Sequence, residues 1–396
     1  MSPLAIWLAM GLWTVIALLI AGAARRGMGT GVAEFYIGGR RIGGFISGMT
    51  YAATTYSAFM LVGLVGLTYA SGVGALGFEI LYLQFTLLLL LVFGPRFWAA
   101  GRLFGLVTPP ELLSRRYGGD GVAIIAALIS LIMLIPYSAV QLIGAGLLVE
   151  GLSGGAVSYV WGVLVMAGLA GVGAWWAGMR SVAWTDALQA VVMAVTSVAA
   201  IVAVMFIFFG SPAGFVAEVE EARGQLLSFT WSRQLFVGLT LPWAFFALTN
   251  PQVSQRLYIP RAARDLRRMM LYFAVFGLLY TVVSTLFGLS AALVVPGLEN
   301  SDAAMPELLA RIPAGLALVI FVGIFAAASS TLGSIVLTLS SLFTRDVLRR
   351  ARPGVTEDTE TSVARVMVLV VLAACIGFAL LRPALIAQLS SAASGG

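Results

Sequence analysis

The sequence predicts an all-α membrane protein, and three observations carry that prediction. Hydrophobic residues make up 60% of the 396 and charged residues only 10%, with a mean hydropathy of +1.01, whereas a water-soluble domain carries about 25% charged residues. Apolar stretches near or above the roughly 20 residues that cross a hydrocarbon core recur along the chain. The charges are gathered in the breaks between those stretches. Residues 1–396 therefore read as a single polytopic membrane domain whose solvent is the lipid bilayer.

Taken in order, the apolar runs predict ten spans, near 4–24, 42–70, 76–98, 121–149, 156–178, 182–210, 234–254, 268–295, 312–343 and 363–389. The first lacks a basic leading region and is followed by Arg25 and Arg26, so it reads as a span and not as a cleaved leader. The longest runs exceed what a crossing needs and call for tilt or a break. Arginines near membrane ends prefer the cytoplasm. An external N-terminus puts nineteen of the 23 basic residues inside and leaves only Arg223, Arg233, Arg311 and Arg382 outside. The expectation is a multi-pass protein of the plasma membrane with its N-terminus outside. Residues 345–365, charged and interrupted by Pro353 and Gly354, read as a solvated cytoplasmic loop.

Composition also narrows the chemistry. The chain has no histidine, and all 23 basic residues are arginine, which removes imidazole proton relays, Schiff-base lysines and the commonest metal ligand. Cys375, the one cysteine, lies in an apolar run, so disulfides and cysteine-based metal sites are excluded. An enzyme is not expected, and neither is a cofactor. A net charge of +6 points to nucleic acid only when it forms a basic face on a soluble surface, so no nucleic-acid partner is expected either.

Five segments stand out. The second span opens Gly38-Gly39-Arg40-Arg41-Ile42-Gly43-Gly44 and continues FISGMTYAATTYSAFMLVGLVG. Its small and hydroxyl residues fit either close helix packing or a local unwinding whose freed carbonyls coordinate a cation. The ninth span holds FAAASSTLGSIVLTLSSLFTRD. There Ser329, Ser330, Thr331 and Ser334 either bond back to their own helix or offer neutral oxygens to a hard cation. Asp186, in GMRSVAWTDALQ, and Glu79, in GALGFEILYLQF, are the acids nearest membrane depth. An ionisable group there is a functional candidate by default, with a place at the water interface as the other reading. In the seventh span, LPWAFFALTNPQVSQRL, Pro242 and Pro251 bracket an aromatic and polar stretch. That is a kink or the broken helix at which a transporter binds its solute.

In their order and loop context these segments, together with NPQVSQRLYIPRAARDLRRM, resemble the sodium/solute symporter family, whose members carry proline, pantothenate, sugars, sialic acid and iodide. The resemblance covers nearly the whole chain. It implies an inverted five-plus-five helix repeat of the leucine-transporter type, preceded by one extra helix at 4–24, with a first repeat over 42–210 and a second over 234–389. The second repeat is one helix short, because the chain stops at LIAQLSSAASGG where the last core helix would begin.

The resemblance further implies a sodium site built from Ala53, Tyr56, Ala327, Ser330 and Thr331, and places Asp186 on the inward route by which sodium leaves. Thr55, Glu79, Trp243, Phe245, Phe246 and Asn250 become candidates for the solute pocket. Thr55 stands where the proline carriers have an acidic residue. The expected function is sodium-driven symport of a small organic solute by alternating access, with sodium as coupling ion and only metal. Beside it stand a proton-coupled carrier, for which Asp186 is the obvious proton group, a membrane sensory module related to symporters, and a membrane enzyme, for which acids, bases and metal ligands are scarce. Solute identity, stoichiometry and oligomeric state are not encoded in these motifs.

Overall fold

The computed structural model describes residues 2–27 and 29–381. Helix α1 (Pro3–Arg25) starts at Ser2, whose side chain accepts from the Ala5 N–H, with Pro3 in the first turn, where its missing donor does no harm. A short helix α2 (Val32–Ile37) leads to the first interrupted span, α3 (Gly44–Thr55), a π-helical turn (Phe59–Gly63) and α4 (Leu64–Ser71). The two halves of this span are bent by 50°. Next come α5 (Val73–Leu103), the short α6 (Pro109–Tyr117) and α7 (Asp120–Leu152).

Helix α8 (Tyr159–Phe209) consists of two limbs, Tyr159–Trp176 and Gly178–Phe209. They meet at Gly178, whose φ of 57° and whose closeness to the Phe35 carbonyl, 2.4 Å from where a Cβ would sit, admit only glycine. After α9 (Pro212–Arg223) the second interrupted span follows as three pieces, α10 (Arg233–Ala244), α11 (Phe246–Thr249) and α12 (Pro251–Ser254). The chain continues through α13 (Ala263–Val294), α14 (Ala304–Ala310), α15 (Ala314–Leu342), α16 (Arg349–Ala351) and α17 (Glu357–Leu380).

Eight of these segments are each long and apolar enough to cross a membrane, and the bent α3–α4 pair makes a ninth. The seventh predicted span, 234–254, is present as the short pieces α10 to α12. The end of the tenth, residues 382–389 with Arg382, lies outside the described residues. Helix α15 is buried without interruption from Gly323 to Leu342 and packs on α8, α7, α17 and α3. Glycines set how closely α3 approaches α13: a Cβ on Gly48 would lie 2.8 Å from the Tyr272 Cβ.

The solvated loop expected at 345–365 is not what the structure contains. The α15 helix runs on through a π-helical turn (Phe343–Leu348) into α16, and α17 begins already at Glu357, capped by Thr356, which accepts from the Thr359 N–H at 3.3 Å. Arg345 pairs with Glu111 at 2.8 Å and Glu360 at 3.5 Å, and Arg349 reaches Glu360 at 3.1 Å. Asp346 and Glu360 are fully buried. Ion pairing across elements turns a charged connector into a packed corner, which a reading of charge density along the chain cannot register.

Candidate functional site

The site begins where α3 ends. A helix leaves its last carbonyls without backbone partners, and here Tyr56 leaves the helical conformation with φ −97° and ψ 106°. The sequence holds no proline at this break, so side chains must satisfy the freed backbone. Gln141 Oε1 accepts from the Ala58 N–H at 3.1 Å, Ser57 Oγ accepts from the Phe59 N–H at 3.2 Å, and the Ser57 carbonyl accepts from the Met60 N–H at 3.0 Å. The Ala53 carbonyl receives both Ser330 Oγ and Thr331 Oγ1, each at 2.9 Å, and Ser330 also donates to the Ala327 carbonyl at 2.9 Å.

Four of the five predicted sodium ligands thus converge in one buried spot between α3 and α15. The fifth, Tyr56, is the residue at which the chain turns, three positions beyond Ala53. The converging groups are two carbonyl and two hydroxyl oxygens with no carboxylate among them, a donor set suited to a hard monovalent cation. The back-bonding alternative for Ser330 is also realised, through Ala327, in the same geometry.

One turn away lies a second cluster. Asp186 accepts from Thr50 Oγ1 at 2.6 Å and Ser334 Oγ at 3.1 Å, and pairs with Arg256 at 3.4 Å. Arg256 is fully buried; it also donates to Thr50 Oγ1 at 3.2 Å, to the Gln252 carbonyl at 2.5 Å and to Ser334 Oγ. Thr54 Oγ1 donates to Ser334 Oγ at 3.1 Å. A line of oxygens therefore runs from the turn that carries Ala53 through Thr54 and Ser334 to Asp186. Asp186 also borders a cavity of about 30 Å³ shared with Gln189, Ser329 and Ala21. It sits about 12 Å along the second limb of α8 from Gly178, deeper than a helix start at 182 suggested.

The sequence reading missed the role of Arg256, because it counted that arginine among the cytoplasmic charges. Removing it from the count leaves the orientation bias standing. A signal was available: Arg256 follows the Pro251 break by five residues and so belongs to the broken span, where an unpaired cation is not tolerated.

The solute candidates divide. Trp243 and Phe246 are buried and stacked at 5.2 Å, with Trp243 also stacked on Phe59 at 5.6 Å and edge-on to Tyr82 at 5.4 Å. Tyr137 approaches Phe246 at 6.2 Å. Phe245 stands apart from this cluster, 51% exposed on the outer side of its segment. Thr55 is buried but spends its hydroxyl on the Tyr51 carbonyl at 2.8 Å. Asn250 adopts an extended conformation, as a residue before proline must, and accepts from Gln252 Nε2 at 3.3 Å; it borders a cavity of about 370 Å³ with Phe97 and Met133.

Glu79 is 1% exposed, so the reading that it faces water is corrected. Neither of its carboxylate oxygens has a hydrogen-bond partner among the described residues, and neither do the nearby hydroxyls of Tyr56 and Tyr82. All three lie in electrostatic reach of one another. Tyr82 and Tyr137 were not singled out in the sequence, and Tyr56 was singled out there only as a sodium ligand.

A membrane bundle with two interrupted spans, buried hydroxyls at one break and aromatic side chains at the other has the build of a secondary transporter. The chain belongs to the sodium:solute symporter family, whose family model matches residues 35–396. It is a multi-pass membrane protein that works by sodium-driven symport. The sodium/pantothenate symporter of Haemophilus influenzae is 25% identical over 379 residues, covering 93% of this chain and 77% of that one. The sodium/proline symporter of the same organism is 25% identical over 394 residues, covering 92% and 75%, and the sodium/glucose cotransporter of Vibrio parahaemolyticus is 22% identical over 377, covering 87% and 67%. A solved structure of a Na+-coupled sialic acid symporter in a substrate-bound outward-open state shares the fold, with a TM-score of 0.83 at 19% identity over 95% of this chain and 80% of that one.

Proposed function

We propose that the coupling sodium is held by the carbonyls of Ala53, Tyr56 and Ala327 and the hydroxyls of Ser330 and Thr331, and that it drives a small organic solute into the cell. The observation that carries this reading is the pair of hydroxyls from α15 meeting the Ala53 carbonyl at 2.9 Å where α3 breaks. Neutral oxygens of this kind bind no exchangeable proton at neutral pH, which favours sodium over proton coupling. Asp186 is the next stop on the inward route, reached through Thr54 and Ser334. The solute lies against Trp243 and Phe246 and presents a hydrogen-bond donor to Glu79, since a buried carboxylate without a partner is costly.

On this reading the protein is a carrier and not an enzyme, needs no cofactor, and lies in the plasma membrane with its N-terminus outside. The helix at 4–24 stands outside the two repeats, 42–210 and 234–389. Uptake of a panel of radiolabelled solutes into intact cells, with sodium or potassium outside, tests the proposal. One solute should enter with sodium only, and a cysteine placed beside Glu220, in a Cys375→Ser background, should label from outside in the same cells. Uptake that follows a proton gradient and ignores sodium would overturn the coupling; labelling from inside only would overturn the orientation.

A further inference from the structure

We propose that the lipid-facing groove between α1 and the first limb of α8 binds one anionic phospholipid, an acyl chain in the groove and the phosphate at Arg25 and Arg365. The groove, about 540 Å³, is lined by Val15, Leu18 and Leu19 of α1 and by Val172, Trp175 and Trp176 of α8. Trp175 is 44% exposed, and in a membrane such a wall meets acyl chains. From Arg25 back to Val15 the helix rises about 15 Å, half of a hydrocarbon core of roughly 30 Å. The groove therefore runs from headgroup depth to the middle of the bilayer.

Two cations mark its mouth. Arg25 lies over the Trp176 ring at 5.2 Å and Arg365, from α17, over the Trp175 ring at 5.9 Å. Neither has an acidic partner among the described residues, and the buried Arg365 Nε makes no hydrogen bond. Neighbouring Arg180 differs, since it faces Glu34 at 3.7 Å. The position of Arg25 at the C-terminal end of α1 suits the helix dipole, whereas Arg365, in the third turn of α17, has no such compensation. An anionic headgroup supplies the charge that this mouth lacks, and basic pockets between spans at the cytoplasmic surface take up such lipids. Leu18 of the groove also lines, with Ala17 and Ala21, the small cavity that reaches Asp186.

The test uses the full chain in detergent. Native mass spectrometry and thermal unfolding are followed with phosphatidylglycerol, with phosphatidylcholine of the same acyl chains, and with glycerol phosphate. Phosphatidylglycerol should bind one to one and raise the unfolding midpoint, and the other two should not. Arg25→Gln with Arg365→Gln should weaken its binding about 30-fold. Arg264→Gln with Arg267→Gln, the same loss of charge elsewhere, should leave it unchanged. Leu19→Trp, which fills the groove, keeps both arginines and lies away from the cavity at Asp186, should weaken it too. Equal loss in both arginine pairs, equal protection by glycerol phosphate or phosphatidylcholine, unaltered binding in Leu19→Trp, or a dimer that Trp175→Ala abolishes would each overturn the proposal.

Discussion

Asp186 and Arg256 show how closely the ionisable side chains of this bundle depend on each other. Both are buried, and their shared partners Thr50 and Ser334 fix them from α3 and α15. Breaking one side of such a pair leaves an uncompensated charge and costs about 3–5 kcal/mol, whereas removing both sides costs far less. Asp186→Asn and Arg256→Gln should each lower the unfolding midpoint sharply, and the double variant should recover most of the loss. Thermal unfolding of the four proteins checks this as a double-mutant cycle. Strictly additive losses would mean that the two residues act independently. If Asp186 is also a stop for leaving sodium, Asp186→Asn slows turnover more than it weakens sodium binding.

At the level of elements, the two interrupted spans break for different reasons, and only one reason is written in the local sequence. Pro251 forces Asn250 out of the helical region, so the α11–α12 break could be read from the dipeptide. The break after α3 has no proline. It persists because Gln141 of α7, 83 positions along the chain, accepts from the Ala58 N–H, and no local pattern announces that contact. Gln141→Leu should therefore leave a buried donor unpaired, at about 1–3 kcal/mol, and loosen the break, which hydrogen exchange at residues 57–60 would register as faster exchange than in wild type. Unchanged exchange there would show that the break holds itself open. The same long-range logic hid the packed corner at Arg345 and Glu360, where ion pairs with Glu111 and Arg349 order residues that read as a loop.

On the scale of the whole molecule, apolar run length and arginine placement sufficed to read the class, because lipid permits so few backbone solutions. The positions of Ala53, Ala327, Ser330 and Thr331 were legible through the resemblance of their segments, and the structure brings them together from opposite halves of the chain. Their proposed role as ion ligands makes the sharpest demand. In sodium the unfolding midpoint should rise, and in equal potassium it should not. Thr331→Ser keeps its oxygen and should need little more sodium for the same rise. Each alanine variant loses one neutral ligand and should need about tenfold more, so Ser330→Ala with Thr331→Ala should show no sodium-specific rise at all. If the double variant is protected at the sodium concentrations that protect the wild type, these hydroxyls only pack α15 against α3, and the ion sits elsewhere.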